Sequence, residues 1–198
     1  MKVHAGCGSI YLKGYINIDV RIPGVTFLAK DRPDLVKQNL TMPENYYKKT
    51  VVRGDIETKR FESQPIVVDM FGDVRNLPFP QNSLSEIRAV QLFEHFTFQE
   101  GEALLEHWQS LLEAGGKIHL DIPDLDGTIQ GYVEAKAQKD KDWYIRLLYG
   151  SQKNEFGLHK AMYSKITIKG LLRKKGFKNI IFLPNIHFYP AFAVEGQK

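Results

Sequence analysis

Residues 1–19, MKVHAGCGSIYLKGYINID, constrain this chain more than any other stretch. They read as a strand over residues 2–5, a turn at Gly6-Cys7-Gly8, a short link, and a second strand over residues 15–20 with Ile16 and Ile18 on one face. A backbone without side chains at Gly6 and Gly8 lets a ligand approach closely, and an acid closing the next strand, Asp19, can accept hydrogen bonds from a ribose diol. Adjacent parallel strands normally need a crossover of about a dozen residues or more. Residues 9–14 have room for one helical turn at most.

The rest of the chain alternates strand and helix patterns, which argues for a parallel α/β sheet. Residues 21–64 form a long polar stretch with Pro23-Gly24, Pro33 and Pro43, expected as an insertion over one edge of the core, with short helices at 34–40 and 43–47. A β-branched run at 66–69 leads into the loop Gly72-Asp73-Val74-Arg75-Asn76-Leu77-Pro78-Phe79. Residues 87–93 predict another strand, with Glu94 and His95 at its carboxyl end. Thr97-Phe98-Gln99-Glu100 has the form of a capping box, opening a helix with Leu104, Leu105, Trp108, Leu111 and Leu112 facing the core, and Gly115-Gly116 is expected to stop it. A strand at 117–122, a helical region from Asp124 to Tyr149, a loop at 150–163 and a helix capped by Ser164 and closed by Gly176 follow. Two last strands are predicted at 180–183 and 186–194.

Composition narrows the setting rather than the activity. With 198 residues, 43% hydrophobic and 25% charged, the chain is expected to be a single domain over 1–198 with one continuous core. The excess of 27 basic over 23 acidic residues is too thinly spread for an electrostatic nucleic-acid stripe. Cys7 is the only cysteine, so an internal disulfide is excluded and a reduced, cytoplasmic location is expected. No apolar run approaches the roughly 18 residues of a membrane span, and no signal-peptide core follows Met1. The histidines, His4, His95, His107, His119, His159 and His187, show no paired ligand spacing, and no metal is expected.

The glycine turn, Asp19, Asp73, the Phe93-Glu94-His95 corner and Asp124 all follow predicted strands, where ligands bind in open parallel sheets. In this order they resemble the class I S-adenosylmethionine-dependent methyltransferases, specifically small methyltransferases with a Gly-Cys-Gly turn. The matching residues are His4-Ala5-Gly6-Cys7-Gly8, 14–19, 73–79, Phe93-Glu94-His95-Phe96 and Gly115-Gly116-Lys117. The resemblance implies a Rossmann-like sandwich, with a mostly parallel seven-stranded sheet, an antiparallel C-terminal strand and helices on both faces. It also implies S-adenosylmethionine as cofactor. His4, Ala5, Gly6, Cys7 and Gly8 would line the methionine side, and Asp19 would hold the ribose. Asp73 would meet the adenine amino group, Val74 and Leu77 would flank the ring, and Phe93, Glu94 and His95 would face the sulfonium. The sequence departs from the family at Ser9-Ile10, where a third glycine is usual, and it has no helix before the first strand. The 21–64 insertion is therefore expected to supply the lid.

Methyl transfer from a sulfonium needs mainly a positioned acceptor, and a base only when the nucleophile carries a proton. His159, His95 and Asp124 are the candidates for that role, with His159 first. The expected activity is methylation of an oxygen or nitrogen on a small acceptor, a sugar or other metabolite, by a monomer or homodimer with no membrane partner. RNA or protein methylation and a non-catalytic S-adenosylmethionine-binding role are the alternatives. A nicotinamide dehydrogenase is disfavoured because the turn lacks the full Gly-x-Gly-x-x-Gly pattern and Asp19 comes too early after it.

Overall fold

The computed structural model describes residues 1–46, 65–185 and 187–198. In chain order the strands are β1 (Lys2–Ala5), β2 (Tyr11–Leu12), β3 (Ile16–Asp19), β4 (Thr26–Leu28), β5 (Leu40–Thr41), β6 (Ile66–Val68), β7 (Met70–Phe71), β8 (Leu84–Val90), β9 (Leu112–Pro123), β10 (Lys178–Leu183) and β11 (Ala191–Gln197). Among the described residues the α-helices with both ends in view are α1 (Pro33–Asn39), α2 (Phe98–Leu111), α3 (Leu125–Glu134), α4 (Gln138–Tyr149) and α5 (Lys165–Lys174).

Seven strands form one sheet in the order β10-β11-β9-β8-β1-β3-β7. Every pairing in it is parallel except those of β11, which runs antiparallel to both β9 and β10. β1 is central, flanked by β3 and β8, so the glycine turn leaves the middle of the sheet at its carboxyl edge. Beside this sheet β4 pairs with β6, and β2 with β5, both in parallel.

No helix joins β1 to β3. Their link instead forms β2, which is pinned from outside by β5 and by the Lys13 N–H donating to the Thr41 carbonyl at 2.9 Å. A small apolar cluster of Ile10, Leu12, Tyr15 and Tyr46 lies under the link. The described part of the 21–64 insertion thus supports the short crossover, through the strand at 40–41 and Tyr46. The remainder of the expected lid, residues 47–64, lies outside the described residues.

The main core is built by alternate residues of the central strands, Val3, Ala5, Ile18, Ile87, Ala89, Ile118 and Leu120, against Leu104, Leu105, Trp108 and Leu111 of α2. Trp108 is fully buried, and its indole N–H is satisfied by the Val74 carbonyl at 2.9 Å. The α2 capping box is present in both directions, Thr97 Oγ1 accepting from the Glu100 N–H and the Glu100 carboxylate from the Thr97 N–H. A second capping box joins Ser164 and Thr167 at the start of α5.

Several boundaries differ from the sequence expectation; β8 runs over Leu84–Val90 and not 87–93, so that Phe93–His95 form a short turn after it. Helix α2 ends because Leu112 turns extended (ψ 138°), before any glycine is reached. Gly115 and Gly116 instead lie in a bulge of β9, where the register against β8 jumps between the Leu84 and Glu86 pairings. Gly115 has φ +79°, and a Cβ on Gly116 would stand 2.9 Å from the Leu84 carbonyl oxygen, so both glycines serve the bulge. The last strand starts at Ala191, several residues late, because Asn185 Oδ1 accepts the His187 N–H and turns the chain first. Among the described residues no helix is long and apolar enough to cross a membrane.

Candidate active site

At the carboxyl end of β1, Gly6 (φ +62°) and Gly8 (φ +53°) both take the left-handed conformation that glycine adopts at little cost. The Cys7 N–H donates to the Ile18 carbonyl at 3.1 Å, which ties the turn to β3. Asp19 completes the tie: Oδ2 accepts the Gly8 N–H and Oδ1 the Val20 N–H, each at 2.8 Å. Burial raises the Asp19 carboxyl from its ordinary value, opposed by these two bonds. Each oxygen retains a lone pair for a further donor. Nothing lies within 4 Å of where a Gly8 side chain would begin, so the turn presents bare backbone to open space.

Behind the turn lies a buried polar knot. His4 Nδ1 donates to Asn17 Oδ1 at 3.0 Å, and His4 Nε2 accepts from the Tyr46 hydroxyl at 2.9 Å. The Asn17 amide donates to the carbonyls of Leu12 and Tyr15 and to Asp69, whose other carboxylate oxygen takes the Tyr11 hydroxyl. Burial holds the His4 imidazole down to about 4, so it is neutral. His4 and Ala5 are fully buried, and with both ring nitrogens engaged His4 braces the turn from below. Cys7 is also buried, and burial raises its thiol far above the ordinary value, with Asp19 and Asp69 adding to the effect. A nucleophilic thiolate is thereby disfavoured.

Asp73 follows β7 and holds a short turn over Val74–Asn76 by accepting the Arg75 N–H at 2.9 Å. Its carboxylate also meets the Arg75 guanidinium at 2.6 Å, which lowers its pKa. Val74 and Leu77 belong to the main core, and the Leu77 N–H donates to His107 Nε2 at 3.0 Å. A cavity of about 520 Å³ at this edge is lined by residues including Arg21, Phe27, Asp31 and Phe71. It contains none of the sequence-predicted site residues.

The corner after β8 brings together residues distant in sequence. Phe93 packs inward on Tyr163, with ring centroids 5.3 Å apart. The Glu94 carbonyl accepts the N–H groups of Lys160 (2.8 Å) and Ala161 (3.2 Å), and His95 Nδ1 donates to the Leu158 carbonyl at 2.8 Å. His159 Nδ1 donates to the Leu147 carbonyl at 2.8 Å. Since a carbonyl only accepts, both rings carry their proton on Nδ1 and present a bare Nε2. Burial lowers the pKa of both imidazoles. The two rings meet edge to face with centroids 4.9 Å apart. Beside them Glu94 is 1% exposed, and among the described residues neither carboxylate oxygen meets a hydrogen-bond partner in good geometry. Burial pushes this carboxyl up to about 8, opposed by its own backbone N–H and helped by the charge of Asp121.

Asp124 caps α3 by accepting the Asp126 N–H at 3.2 Å, and its own N–H donates to the Pro190 carbonyl at 3.1 Å. It is the helix cap at the end of β9 and forms a β-bridge with Tyr163.

Sequence reasoning missed two groups. Asp121, 1% exposed near the end of β9, accepts from Gln91 Nε2 at 2.8 Å and from His187 Nε2 at 2.9 Å. An acid inside the apolar run Ile118-His119-Leu120-Asp121-Ile122 was the available signal. Leu92 is the other: its side chain lies over Gly6, within 2.6 Å of where a Cβ would stand. Of the aromatic residues Tyr46, Tyr47, Tyr132, Trp143, Tyr144, Tyr149 and Tyr163, which are numerous enough in the sequence to line an acceptor pocket, Trp143 stacks on Phe188 at 5.9 Å and meets Tyr189 edge-on. Tyr47 lies outside the described residues.

No protein-family model matches this sequence, and no curated protein matches it either. Solved structures do match. A Thermotoga maritima protein described as an S-adenosylmethionine-dependent methyltransferase, possible histamine N-methyltransferase, aligns over 99% of this chain and 80% of its own at 13% identity and TM-score 0.52. Human N-acetylserotonin methyltransferase in complex with S-adenosylmethionine aligns over 100% of this chain and 47% of its own, at 13% identity and TM-score 0.53. The S-adenosylmethionine-dependent methyltransferase SibL aligns over 100% and 50%, at 13% identity and TM-score 0.51. The chain therefore spans about half the length of the last two. At such identities the likeness is one of architecture. The sheet order, its single antiparallel strand and these likenesses together establish that the chain has the class I S-adenosylmethionine-dependent methyltransferase fold.

Proposed function

We propose that this protein is an S-adenosylmethionine-dependent methyltransferase acting on an oxygen or nitrogen of a small-molecule acceptor. The observation that carries this reading is the bond from the Gly8 N–H to Asp19, which holds bare glycine backbone and an acid side by side at the carboxyl edge of β1 and β3. The methionine end would lie against Gly6, Cys7 and Gly8, and Asp19 would receive the ribose hydroxyls through its remaining lone pairs. Asp73 would accept from the adenine amino group in competition with Arg75. When bound, the cofactor supplies an activated methyl group on a sulfonium.

His95 and His159 supply the acid–base capacity. Their Nδ1 atoms are held by carbonyls and their pKa values are lowered by burial, so near neutral pH each offers an Nε2 lone pair that can take a proton from an acceptor. Asp124 serves by fixing the start of α3. A small acceptor is favoured by the thin spread of basic charge and by two of the matched structures, whose names refer to histamine and N-acetylserotonin. The same reading takes residues 1–198 as one domain working in the cytoplasm as a monomer or homodimer, with 21–64 closing over the cofactor.

Titration calorimetry with S-adenosylmethionine, S-adenosylhomocysteine and NAD tests the reading. Both sulfur ligands should bind with micromolar affinity and NAD should not. No heat with either sulfur ligand overturns it. Release of S-adenosylhomocysteine across metabolite pools then identifies the acceptor, and a steep salt dependence would point to nucleic acid instead.

A further inference from the structure

Glu94, His95 and His159 form a ligand set that the sequence spacing does not announce, because its members come from two segments far apart in the chain. One oxygen of Glu94 and one ring nitrogen of each histidine all lie within 4.8 Å of one another. Three backbone-directed bonds zip the segments together: Lys160 N–H and Ala161 N–H to the Glu94 carbonyl, and His95 Nδ1–H to the Leu158 carbonyl. The juxtaposition is thus held by the fold and does not depend on the side chains alone.

Each group is prepared in the way a metal requires. An imidazole that ligates through one nitrogen characteristically donates its other N–H to a carbonyl or carboxylate, which fixes the tautomer and aims the lone pair. Both histidines do this at 2.8 Å. The Glu94 carboxylate is fully buried, and among the described residues neither oxygen meets a hydrogen-bond partner in good geometry. A buried carboxyl group left without hydrogen bonds is costly, and one explanation for such a group is an ion that completes it. Lys160 directs its ammonium towards Glu100, at 3.9 Å.

We propose that Glu94 and the Nε2 atoms of His95 and His159 bind one divalent first-row transition-metal ion. Two imidazoles and a carboxylate suit zinc, iron(II) or cobalt(II), whereas magnesium and calcium take oxygen ligands. Bond lengths of about 2.0–2.2 Å around a tetrahedral ion place ligand atoms roughly 3.3 Å apart, so the three groups close inward on binding. Three protein ligands leave a coordination position for water. With the ion bound both Nε2 lone pairs are committed to it, so the proton-accepting role given to His95 and His159 above belongs to the metal-free protein. That an acceptor oxygen could take the open position rests on the methyltransferase reading, whereas the metal site itself does not.

The full chain, stripped with chelator and desalted, is titrated with ZnCl2 by calorimetry and with CoCl2 by visible absorption. One equivalent should bind, and cobalt should give the absorption of a four- or five-coordinate ion. Glu94→Gln and His159→Ala should each weaken binding at least about 100-fold, while Glu113→Gln on the exposed β9 bulge leaves it unchanged. Zinc-edge X-ray absorption on the wild-type protein, with no need of a variant, should show two imidazoles. Absence of saturable binding, a metal shell without imidazole, or affinity retained in both folded ligand variants overturns the site. S-adenosylmethionine titrated into stripped and zinc-loaded protein separates the readings: cofactor binding with no metal site sinks only this inference, and zinc binding with no sulfonium binding sinks only the methyltransferase.

Discussion

The carboxylate of Asp19 accepts the backbone N–H of Gly8 at 2.8 Å, across a turn in which Gly6 and Gly8 both have positive φ. The acid at the end of β3 is thus a structural strut for the glycine turn as well as the candidate ribose acceptor. Replacing it with alanine leaves the Gly8 and Val20 N–H groups without this partner. Asp19→Ala should lower stability by about 1–3 kcal/mol and weaken S-adenosylmethionine binding at least about tenfold. Urea unfolding and calorimetry on the same preparation check both. Unchanged cofactor affinity would mean that the ribose site lies elsewhere.

Gly6 carries two separate constraints. Its φ of +62° disfavours any side chain, and a Cβ there would come within 2.6 Å of Leu92. Gly6→Ala should therefore destabilise by more than the roughly 1–2 kcal/mol of the left-handed backbone alone. Adding Leu92→Ala removes the crowding but leaves the backbone term, so a double-mutant cycle should show partial, positive rescue. Strict additivity would show that Leu92 does not cover the turn.

His4 makes a prediction about pH. Its folded pKa is held down to about 4, below the 6.5 of an unfolded chain. The unfolded state therefore binds the extra proton between these values. The stabilising effect of neutral His4 is complete above pH 6.5 and is lost as pH falls towards 4, at up to about 1.4 kcal/mol per pH unit. Denaturant midpoints from pH 7 to 4 should fall more steeply in the wild-type protein than in a folded His4→Gln variant. Parallel profiles would contradict the burial of this ring.

The capping box at Thr97 gives a test independent of any ligand. Thr97→Ala removes the side-chain acceptor for the Glu100 N–H and should cost about 1 kcal/mol. In a chain of this length that lowers the melting temperature by about 2–4 °C. Cofactor affinity should stay as in the wild-type protein.

What could be read from the sequence was whatever depends on neighbours a few residues apart. β1 and the start of α2 fall where the alternation and the Thr97–Glu100 spacing place them, and the glycine turn with Asp19 was legible as a pair. Gly115-Gly116 misled as a helix stop, because a glycine pair suits a bulge as well as a helix end, and only the pairing of β9 with β8 decides between them. Val74 and Leu77 were legible as apolar residues after a strand, but their membership of the core under Trp108 depends on where α2 packs.

By itself the sequence determined the alternation of strands and helices, the parallel sheet and the bare turn closed by an acid, since these follow from side-chain period, glycine's freedom and local caps. Only the tertiary structure decided that His4 faces inward to Asn17 and Tyr46, that Asp121 meets His187, and that Glu94, His95 and His159 converge. Those contacts join residues that are neighbours only once β1 and β3 pair beside Tyr46, β9 meets the turn at His187, and the corner after β8 meets the 158–161 segment. Their chemistry comes from burial and from the direction of hydrogen bonds, neither of which a one-dimensional pattern contains. The glycine turn keeps its place in both accounts, as a local signal that the fold then braces with Asp19 above and the histidine knot below.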